Sequence, residues 1–395
     1  MKNIFTLAFT IAIIFINSLT CANAALWEEL AILDNCPNIP AMAAANGKIY
    51  VLSGTGSGSA KTHEYDPATN VWTDRQSIPQ SCYWATAVEL GGKIYVMGGG
   101  QPYPGRTYNQ VYNPQSDSWS SGADLLTKRM YHSAASVNGK IYLIGGQNGD
   151  NASEWQFDEY DPALDKWTTK LRPLHNEAWY CAAVGLDKTF YRIGGGGANS
   201  SLTRNFFNSY NTETDSWTEL PPFPIKVHAP SAVAYQSRIY LMGGTYNQES
   251  IDSIYSYTTG SGQWILTLYR LPQPMTYHKA AIIDNYIYVF FKDDSDSKGH
   301  IYRMKIPGAD VSDNSKTDNQ VFPNPSSGIL YIRGLANHSV NSAKLYNSMG
   351  KELCSDLIIK DGTIDLGGLD LINGLYFLSY PENGKMKNNS VMIIK

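Results

Sequence analysis

The chain has 395 residues, of which 17% are charged, and its formal net charge is −4. This balance, without any basic stripe, argues against a nucleic-acid partner. The 27 tyrosines and 34 glycines favour an all-β architecture with many tight turns.

The first element along the chain is an apolar run from Ile4 to Ile16, preceded by Lys2. It is too short to span a bilayer comfortably. Ala22-Asn23-Ala24 follows it and matches the small-x-small pattern of a signal-peptide cleavage site. We therefore interpret residues 1–24 as a signal peptide. A signal peptide predicts an exported protein, secreted or at the cell surface. No second apolar run of membrane length follows, so we expect no membrane span in the mature form.

A repeated pattern begins next. The copies are "GKIYVLSG" at Gly47, "GKIYVMGG" at Gly92, "GKIYLIGG" at Gly139, "KTFYRIGG" at Lys188, "SRIYLMGG" at Ser237 and a degenerate "NYIYVFFK" at Asn285. Four copies end in a glycine pair: Gly98-Gly99, Gly145-Gly146, Gly194-Gly195 and Gly243-Gly244. Glycine at the end of a strand indicates a place where a side chain would crowd a neighbouring backbone.

A second pattern recurs in phase with the first. A tyrosine stands seven residues before a tryptophan in "YDPATNVW" and its four later copies, which end at Trp72, Trp119, Trp167, Trp217 and Trp264. The residues between them are turn formers, so each copy predicts strand, tight turn, strand. One repeat therefore contains four short strands. Such a sheet cannot bury both faces alone, and radial stacking of several sheets solves that problem.

These signatures resemble the kelch family over residues Leu26 to about Ala309, which implies a β-propeller. The sixth repeat has no tryptophan of its own, whereas Trp27 lies one repeat length before Trp72. We therefore predict that an N-terminal strand completes the last blade, closing a six-bladed propeller of residues 25–309. Closure of this kind removes exposed sheet edges.

The remaining chain predicts a linker and a second unit. Residues 310–320 are polar and lack apolar periodicity. Alternating apolar residues in 321–395 predict a small Ig-like antiparallel β-sandwich. Its "FPNP" at Phe322, "NGLY" at Asn373 and terminal "MIIK" resemble the C-terminal sorting domain of the type IX secretion system. The resemblance implies that this machinery is a partner, acting through residues 321–395.

Ligand sites in propellers usually lie at the channel mouth, where the loops surround a concave face. Alignment of the repeats brings aromatic residues from four of them to one position there. The candidate ligand-binding residues are Trp84, Arg129, Tyr131, His132, Tyr180, His228, Tyr277 and His278. Two interpretations stay open: an aromatic cup that binds a glycan or protein ligand by stacking and hydrogen bonding, or rings that pack between blades and fill the core.

Binding without catalysis is the leading interpretation, with no cofactor and no metal. One alternative is an enzyme similar to kelch-type sialic acid epimerases, using Glu177, Arg129, His132 and His228 as acid–base groups. Another is a copper radical oxidase resembling galactose oxidase, to which Tyr131-His132, Tyr277-His278, Cys36 and Tyr83 show a faint likeness. No motif in the sequence assigns catalytic roles.

Cys36 and Cys82 fall at nearly equivalent positions of adjacent repeats. Because an exported protein can oxidise its cysteines, these two are candidates for a disulfide between the first and second blades. That pairing requires Cα atoms within about 7 Å.

Overall fold

The computed structural model describes residues 27–306 except 57–58, 101–104, 149–155, 172, 174–178, 197–202 and 261. Beyond these it describes 321–322, 329–332, 340–347, 352–359, 363–366, 369, 371, 374–382 and 385–393. The chain divides into two compact units, Met1–Pro307 and Gly308–Lys395. All named elements are β-strands, as predicted, and within these ranges no helix could cross a membrane. The proposed signal peptide and linker lie outside the described residues.

The first unit contains 25 of the strands. They are β1 (Glu28–Glu29), β2 (Ala41–Ala45), β3 (Lys48–Leu52), β4 (Thr62–Asp66), β5 (Val71–Arg75), β6 (Thr86–Leu90), β7 (Lys93–Met97), β8 (Asn109–Asn113), β9 (Ser118–Ser121), β10 (Ser133–Val137), β11 (Lys140–Ile144), β12 (Phe157–Asp161), β13 (Lys166–Lys170), β14 (Ala182–Leu186), β15 (Thr189–Ile193), β16 (Phe207–Asn211), β17 (Ser216–Glu219), β18 (Ser231–Tyr235), β19 (Arg238–Met242), β20 (Thr245–Tyr246), β21 (Glu249–Thr258), β22 (Trp264–Met275), β23 (Lys279–Ile283), β24 (Tyr286–Lys292) and β25 (Gly299–Lys305).

These strands form antiparallel sheets that follow the repeats. Sheets one to four are β2–β5, β6–β9, β10–β13 and β14–β17, sheet five comprises β18–β22, and sheet six has the order β1-β25-β24-β23. The first strand of each repeat packs beside the first strand of the next, and β23 packs beside β2. The six innermost strands thus form a closed ring within the described residues.

The last sheet is completed from the opposite end of the unit. Strand β1 pairs antiparallel with β25, with Glu28 opposite Arg303 and Glu29 opposite Tyr302. Trp27 is buried, and its indole N–H donates to the carbonyl oxygen of Arg270 at 2.6 Å. The N-terminal strand therefore occupies the position that the sequence analysis gave it.

Apolar residues fill the spaces between neighbouring sheets. Ile49 and Val51 of sheet one share a cluster with Tyr288 and Phe290 of sheet six. The glycine pair permits this close approach: a Cβ on Gly98 of sheet two would lie 2.7 Å from the carbonyl oxygen of Arg129 in the next repeat, and its φ of +61° is in the left-handed region. The predicted crowding at the end of the second strand is therefore present.

The Tyr–Trp pattern forms a set of hydrogen bonds between neighbouring sheets. We call this set the latch and describe it for repeat three. The indole of Trp167 donates to the carbonyl oxygen of Ala123 at 2.9 Å, in the segment leaving sheet two. Asp165 Oδ1 accepts the backbone N–H of Ala123 at 2.6 Å and the hydroxyl of Tyr160 at 2.6 Å. Repeats one and two form the same latch with Tyr65, Asn70 and Trp72 on Ala31, and with Tyr112, Asp117 and Trp119 on Gln76.

The latch changes in the later repeats. Trp217 donates to the carbonyl oxygen of Leu171 at 2.7 Å. In repeat five Gly262 replaces the acidic residue, and the buried indole nitrogen of Trp264 has no hydrogen-bond partner among the residues that the structure describes. The N–H of Leu220 donates to the first residue of β16, and the N–H of Gly122 donates to the first residue of β8, so Leu220 and Gly122 hold equivalent positions. Pro221, which follows Leu220, therefore stands where Ala123 stands in the earlier repeat. A proline has no N–H to donate, so a carboxylate at position 262 would lack its main partner.

The second unit contains two described sheets. The smaller has the order β26 (Val321–Phe322), β27 (Ile329–Ile332) and β30 (Thr363–Asp365). The larger has the order β29 (Glu352–Ile359), β28 (Val340–Asn347), β31 (Gly374–Glu382) and β32 (Lys385–Ile393). Leu345, Ile364, Leu378 and Tyr380 belong to one buried cluster that joins them. This unit thus has its own core.

The predicted disulfide between Cys36 and Cys82 is wrong, because both cysteines are free and buried. Cys36 packs in the cluster between sheets six and one, whereas Cys82 packs in the cluster between sheets one and two. Equivalent positions in successive repeats are separated by one sheet. Burial raises the pKa of the Cys36 thiol to about 12 and that of Cys82 to about 11, so neither is a reactive thiolate at neutral pH.

Candidate functional site

The aromatic candidates lie just before the innermost strands, where the backbone has an unusual conformation. Trp84, Tyr131, Tyr180 and Tyr277 have φ values of 61°, 63°, 51° and 56°. These left-handed residues connect neighbouring sheets: Tyr131 N donates to Trp84 O at 3.3 Å, and Tyr180 N donates to Tyr131 O at 3.0 Å. Bulky residues take such a conformation at a cost, which the hydrogen bonds around the mouth offset.

The four rings form one cluster at the mouth. Trp84 contacts Tyr131, Tyr180 and Tyr277 with ring centroids 4.7, 5.5 and 5.4 Å apart. Tyr131 and Tyr180 are 4.6 Å apart, and Tyr180 and Tyr277 are 5.2 Å apart. Edge-to-face contacts of this kind stabilise an aromatic cluster beyond its burial. The structure therefore brings these four predicted residues together.

The cluster separates two cavities. The first, which we call the outer cavity, has a volume of about 1180 Å³, and its wall includes Trp84, Tyr277 and the flanking Tyr83. The second, which we call the axial cavity, has a volume of about 90 Å³, and its wall includes equivalent residues of all six repeats: Ile39, Trp84, Tyr131, Tyr180, Ala229 and Tyr277. Trp84 and Tyr277 face both spaces, whereas Tyr131 and Tyr180 line the axial cavity alone.

The outer cavity combines apolar and polar walls. Phe290 and Phe291 come from the sixth sheet, and the rim includes Asn38, Lys292 and Asp294. The Nζ of Lys292 donates to Oδ1 of Asn38 at 2.5 Å. An apolar cavity with a few polar groups is the usual form of a small-molecule site.

Arg129 does not reach either cavity, so the structure does not support its predicted ligand contact. Its side chain is fully buried and ion-paired with Asp158. It also donates from Nε to Thr127 Oγ1 at 3.0 Å and from a terminal nitrogen to the carbonyl oxygen of Gln156 at 3.1 Å. These contacts hold the guanidinium of Arg129 inside sheet three, away from both cavities.

The three candidate histidines are buried. His132 and His278 line the axial cavity, whereas His228 packs on Tyr180 with ring centroids 4.5 Å apart. Burial lowers the pKa of His132 and of His278 to about 3, and that of His228 to about 4. They are therefore neutral at physiological pH and poorly matched to acid–base work there.

The geometry does not favour the copper alternative. His132 packs against Gly98 of sheet two, and His278 packs against Gly243 of sheet five. Among the residues that the structure describes, no group of three His, Cys, Asp or Glu side chains is placed to hold a metal ion. Glu177, the epimerase-type candidate, lies outside the described residues.

Sequence reasoning missed several residues of these walls. Lys292 and Phe291 replace the glycine pair in repeat six, where β24 continues to pair with β25. Lys279 is the first residue of β23 and lines both cavities. Both were detectable as departures from the repeat: a missing glycine pair, and a charge where the other repeats have small residues.

Comparison with known proteins identifies both units. A kelch-repeats domain model (KLHDC2/KLHL20/DRC7) matches residues 39–222, and a kelch motif matches 227–266. A secretion-system C-terminal sorting domain matches residues 320–395. The fold and repeats therefore define a kelch β-propeller. More particularly, the chain is a kelch-repeat protein that carries a C-terminal sorting domain of a secretion system, which confirms both family resemblances.

The similar curated proteins include kelch-like proteins and a scruin. Kelch-like protein terF of Aspergillus terreus is 27% identical over 249 residues, which is 59% of this chain and 44% of that protein. Beta-scruin of Limulus polyphemus is 27% identical over 261 residues, 63% of this chain and 24% of that protein. The chain thus spans less than half the length of these relatives.

A solved structure, that of YjhT, is similar in fold. It has a TM-score of 0.60 and 17% sequence identity, and the match covers 71% of this chain and 97% of that one. At this level of identity the likeness supports the propeller fold alone.

Proposed function

We propose that the propeller is an exported binding module that holds a glycan in the outer cavity. The observation that carries this proposal is the wall of that cavity, where the half-buried Trp84 and the 36% exposed Tyr277 meet at the channel mouth. Flat rings with polar tips bind sugar faces by stacking and orient them by hydrogen bonds. The volume of about 1180 Å³ accommodates more than one sugar ring.

Export forms the second part of the proposal. The sorting domain indicates a protein delivered to the cell surface or the medium. We propose residues 1–24 as the signal peptide, 25–309 as the binding propeller, 310–320 as the linker and 321–395 as the segment that the secretion machinery handles. A module outside the cell has access to glycans of surfaces and of the medium.

The test is a glycan array with the full chain, followed by titration of hits using tryptophan fluorescence. Replacing Trp84 by alanine removes the stacking wall, so we expect the dissociation constant to rise at least about tenfold, equivalent to ~1.4 kcal/mol. The matched control is Tyr246→Ala, because Tyr246 is 38% exposed but does not line the outer cavity. Absence of any glycan hit, or equal effects of the two variants, would contradict the proposal. Turnover of a bound glycan would favour the enzymatic alternative.

A further inference from the structure

A charged side chain lies at the start of one of the six innermost strands. The innermost strands begin with Ala41, Thr86, Ser133, Ala182, Ser231 and Lys279. Five of these residues are small, and only Lys279 carries a charge. A long cationic side chain at this position therefore interrupts the repeat where the strands converge.

Lys279 lies at the junction of the outer and axial cavities, since it lines both. Its side chain is half-buried, and among the described residues its ammonium makes no ion pair or hydrogen bond. Burial lowers the pKa of Lys279 to about 8, so it is still mostly protonated at neutral pH. A cation that is partly removed from water and has no protein partner favours the binding of an anion.

The two histidines near Lys279 do not offer donors to this space. His132 and His278 are 6% and 2% exposed, and their rings pack against Gly98 of sheet two and Gly243 of sheet five. Their ring nitrogens are buried, so they do not reach a group in the cavity. Lys279 is the charged side chain of this wall, and an ammonium is complementary to an anion.

The residues at the rim of the outer cavity are less suited than Lys279 to bind an anion. Lys292 at the rim is already bound to Asn38, and the neighbouring Asp294 is fully exposed and negative. The axial cavity, of about 90 Å³, is much smaller than the outer cavity of about 1180 Å³. We therefore assign the small charged group of a ligand to the inner position and its ring to the outer cavity.

We propose that Lys279 forms an oxyanion-binding subsite at the foot of the outer cavity. The subsite takes a carboxylate, sulfate or phosphate group projecting from the bound ligand. This inference rests on the proposed binding function and deepens it: the preferred glycan is an acidic one. A charge-assisted hydrogen bond to the oxyanion would satisfy the ammonium of Lys279.

The first experiment labels the native full chain with acetic anhydride and measures acetylation of each lysine by mass spectrometry. Acetate, sulfate and inorganic phosphate are the probes, at an ionic strength matched with chloride. We expect acetylation of Lys279 to slow at least threefold with the favoured oxyanion, whereas Lys292 serves as an internal control and does not change. Equal labelling of Lys279 with and without every oxyanion overturns the proposal. The ranking of the three probes distinguishes a carboxylate from a sulfate or phosphate subsite.

A matched variant separates this subsite from glycan binding as such. Lys279→Ser introduces the residue that repeats three and five carry at this position, so the strand is expected to fold. Galacturonic acid and galactose differ only at C6, and we expect at least fivefold tighter binding of the acid, lost in the variant. Equal binding of both sugars by the native chain refutes the subsite but retains the binding module. Protection of Lys279 by oxyanions without binding of any sugar retains the subsite and refutes the glycan proposal.

Discussion

At the scale of single residues, Ser53 shows how a departure from the repeat is compensated. It stands where later repeats have the first glycine of the pair, and its φ is +62°. Its Oγ donates to the carbonyl oxygen of Cys82 at 2.5 Å and accepts the N–H of Cys82 at 2.7 Å. Two buried hydrogen bonds to the next repeat thus offset a strained backbone.

We predict that Ser53→Ala lowers the free energy of unfolding by about 2 kcal/mol, because it leaves the buried N–H of Cys82 unpaired and keeps the strain, while the carbonyl oxygen of Cys82 retains the N–H of Gly54 at 3.1 Å. Ser53→Gly should cost less, since glycine adopts a positive φ freely. Urea unfolding followed by fluorescence measures the order. An alanine variant as stable as the glycine variant would show that backbone strain is not part of the effect.

At the scale of elements, the latch of repeats one to three joins each of these sheets to the one before it, and Asp165 is its centre in repeat three. We predict that Asp165→Ala destabilises the propeller by about 2 kcal/mol, because it removes the acceptor for Tyr160 and for the N–H of Ala123. Asp165→Asn is the matched control, since Asn70 has this role in repeat one. Thermal melts of the three proteins provide the measurement. Equal losses in both variants would mean that the carboxylate charge, rather than the acceptor geometry, is required.

At the scale of the whole propeller, a strand of only two residues completes the last sheet. Glu29 Oε1 lies 2.8 Å from His300 Nδ1 and accepts the hydroxyl of Tyr302 at 3.0 Å, and Asp296 lies 3.1 Å from His300 Nε2. Burial lowers the pKa of His300, but its hydrogen bonds to the two carboxylates outweigh burial, so the net pKa is raised. The pairing of β1 with the last sheet is therefore coupled to the protonation of His300.

The direction of the pH dependence follows from the raised pKa of His300. The stabilisation that protonated His300 gives to the folded propeller is fully present below the unfolded pKa of 6.5, and it is lost as the pH rises through the folded pKa. We predict that Glu29→Gln costs about 1 kcal/mol at pH 6, or about 2 °C in melting temperature, and clearly less at pH 8.5. His300→Asn should abolish this pH dependence. A loss from Glu29→Gln that is the same at both pH values would contradict the mechanism.

Much of the fold was predictable because its signals are local. The glycine pairs marked strand ends, and the spacing from Trp27 to Trp72 placed the N-terminal strand on the last sheet. The latch was only half predictable: the tyrosines and tryptophans were found, but Asp165 looked like an ordinary turn residue. Its partner, Ala123, lies 42 residues away, and no local pattern reports such a contact.

The sequence by itself determined the repeat, the all-β class and the sorting domain, because periodic apolar residues and turn chemistry depend on neighbours along the chain. Only the tertiary structure decided which side chains share a space. It separated Cys36 from Cys82 by a whole sheet, buried Arg129 against Asp158 and placed Lys279 between two cavities. The physical reason is that convergence at the axis depends on the packing of six sheets, which no single repeat encodes.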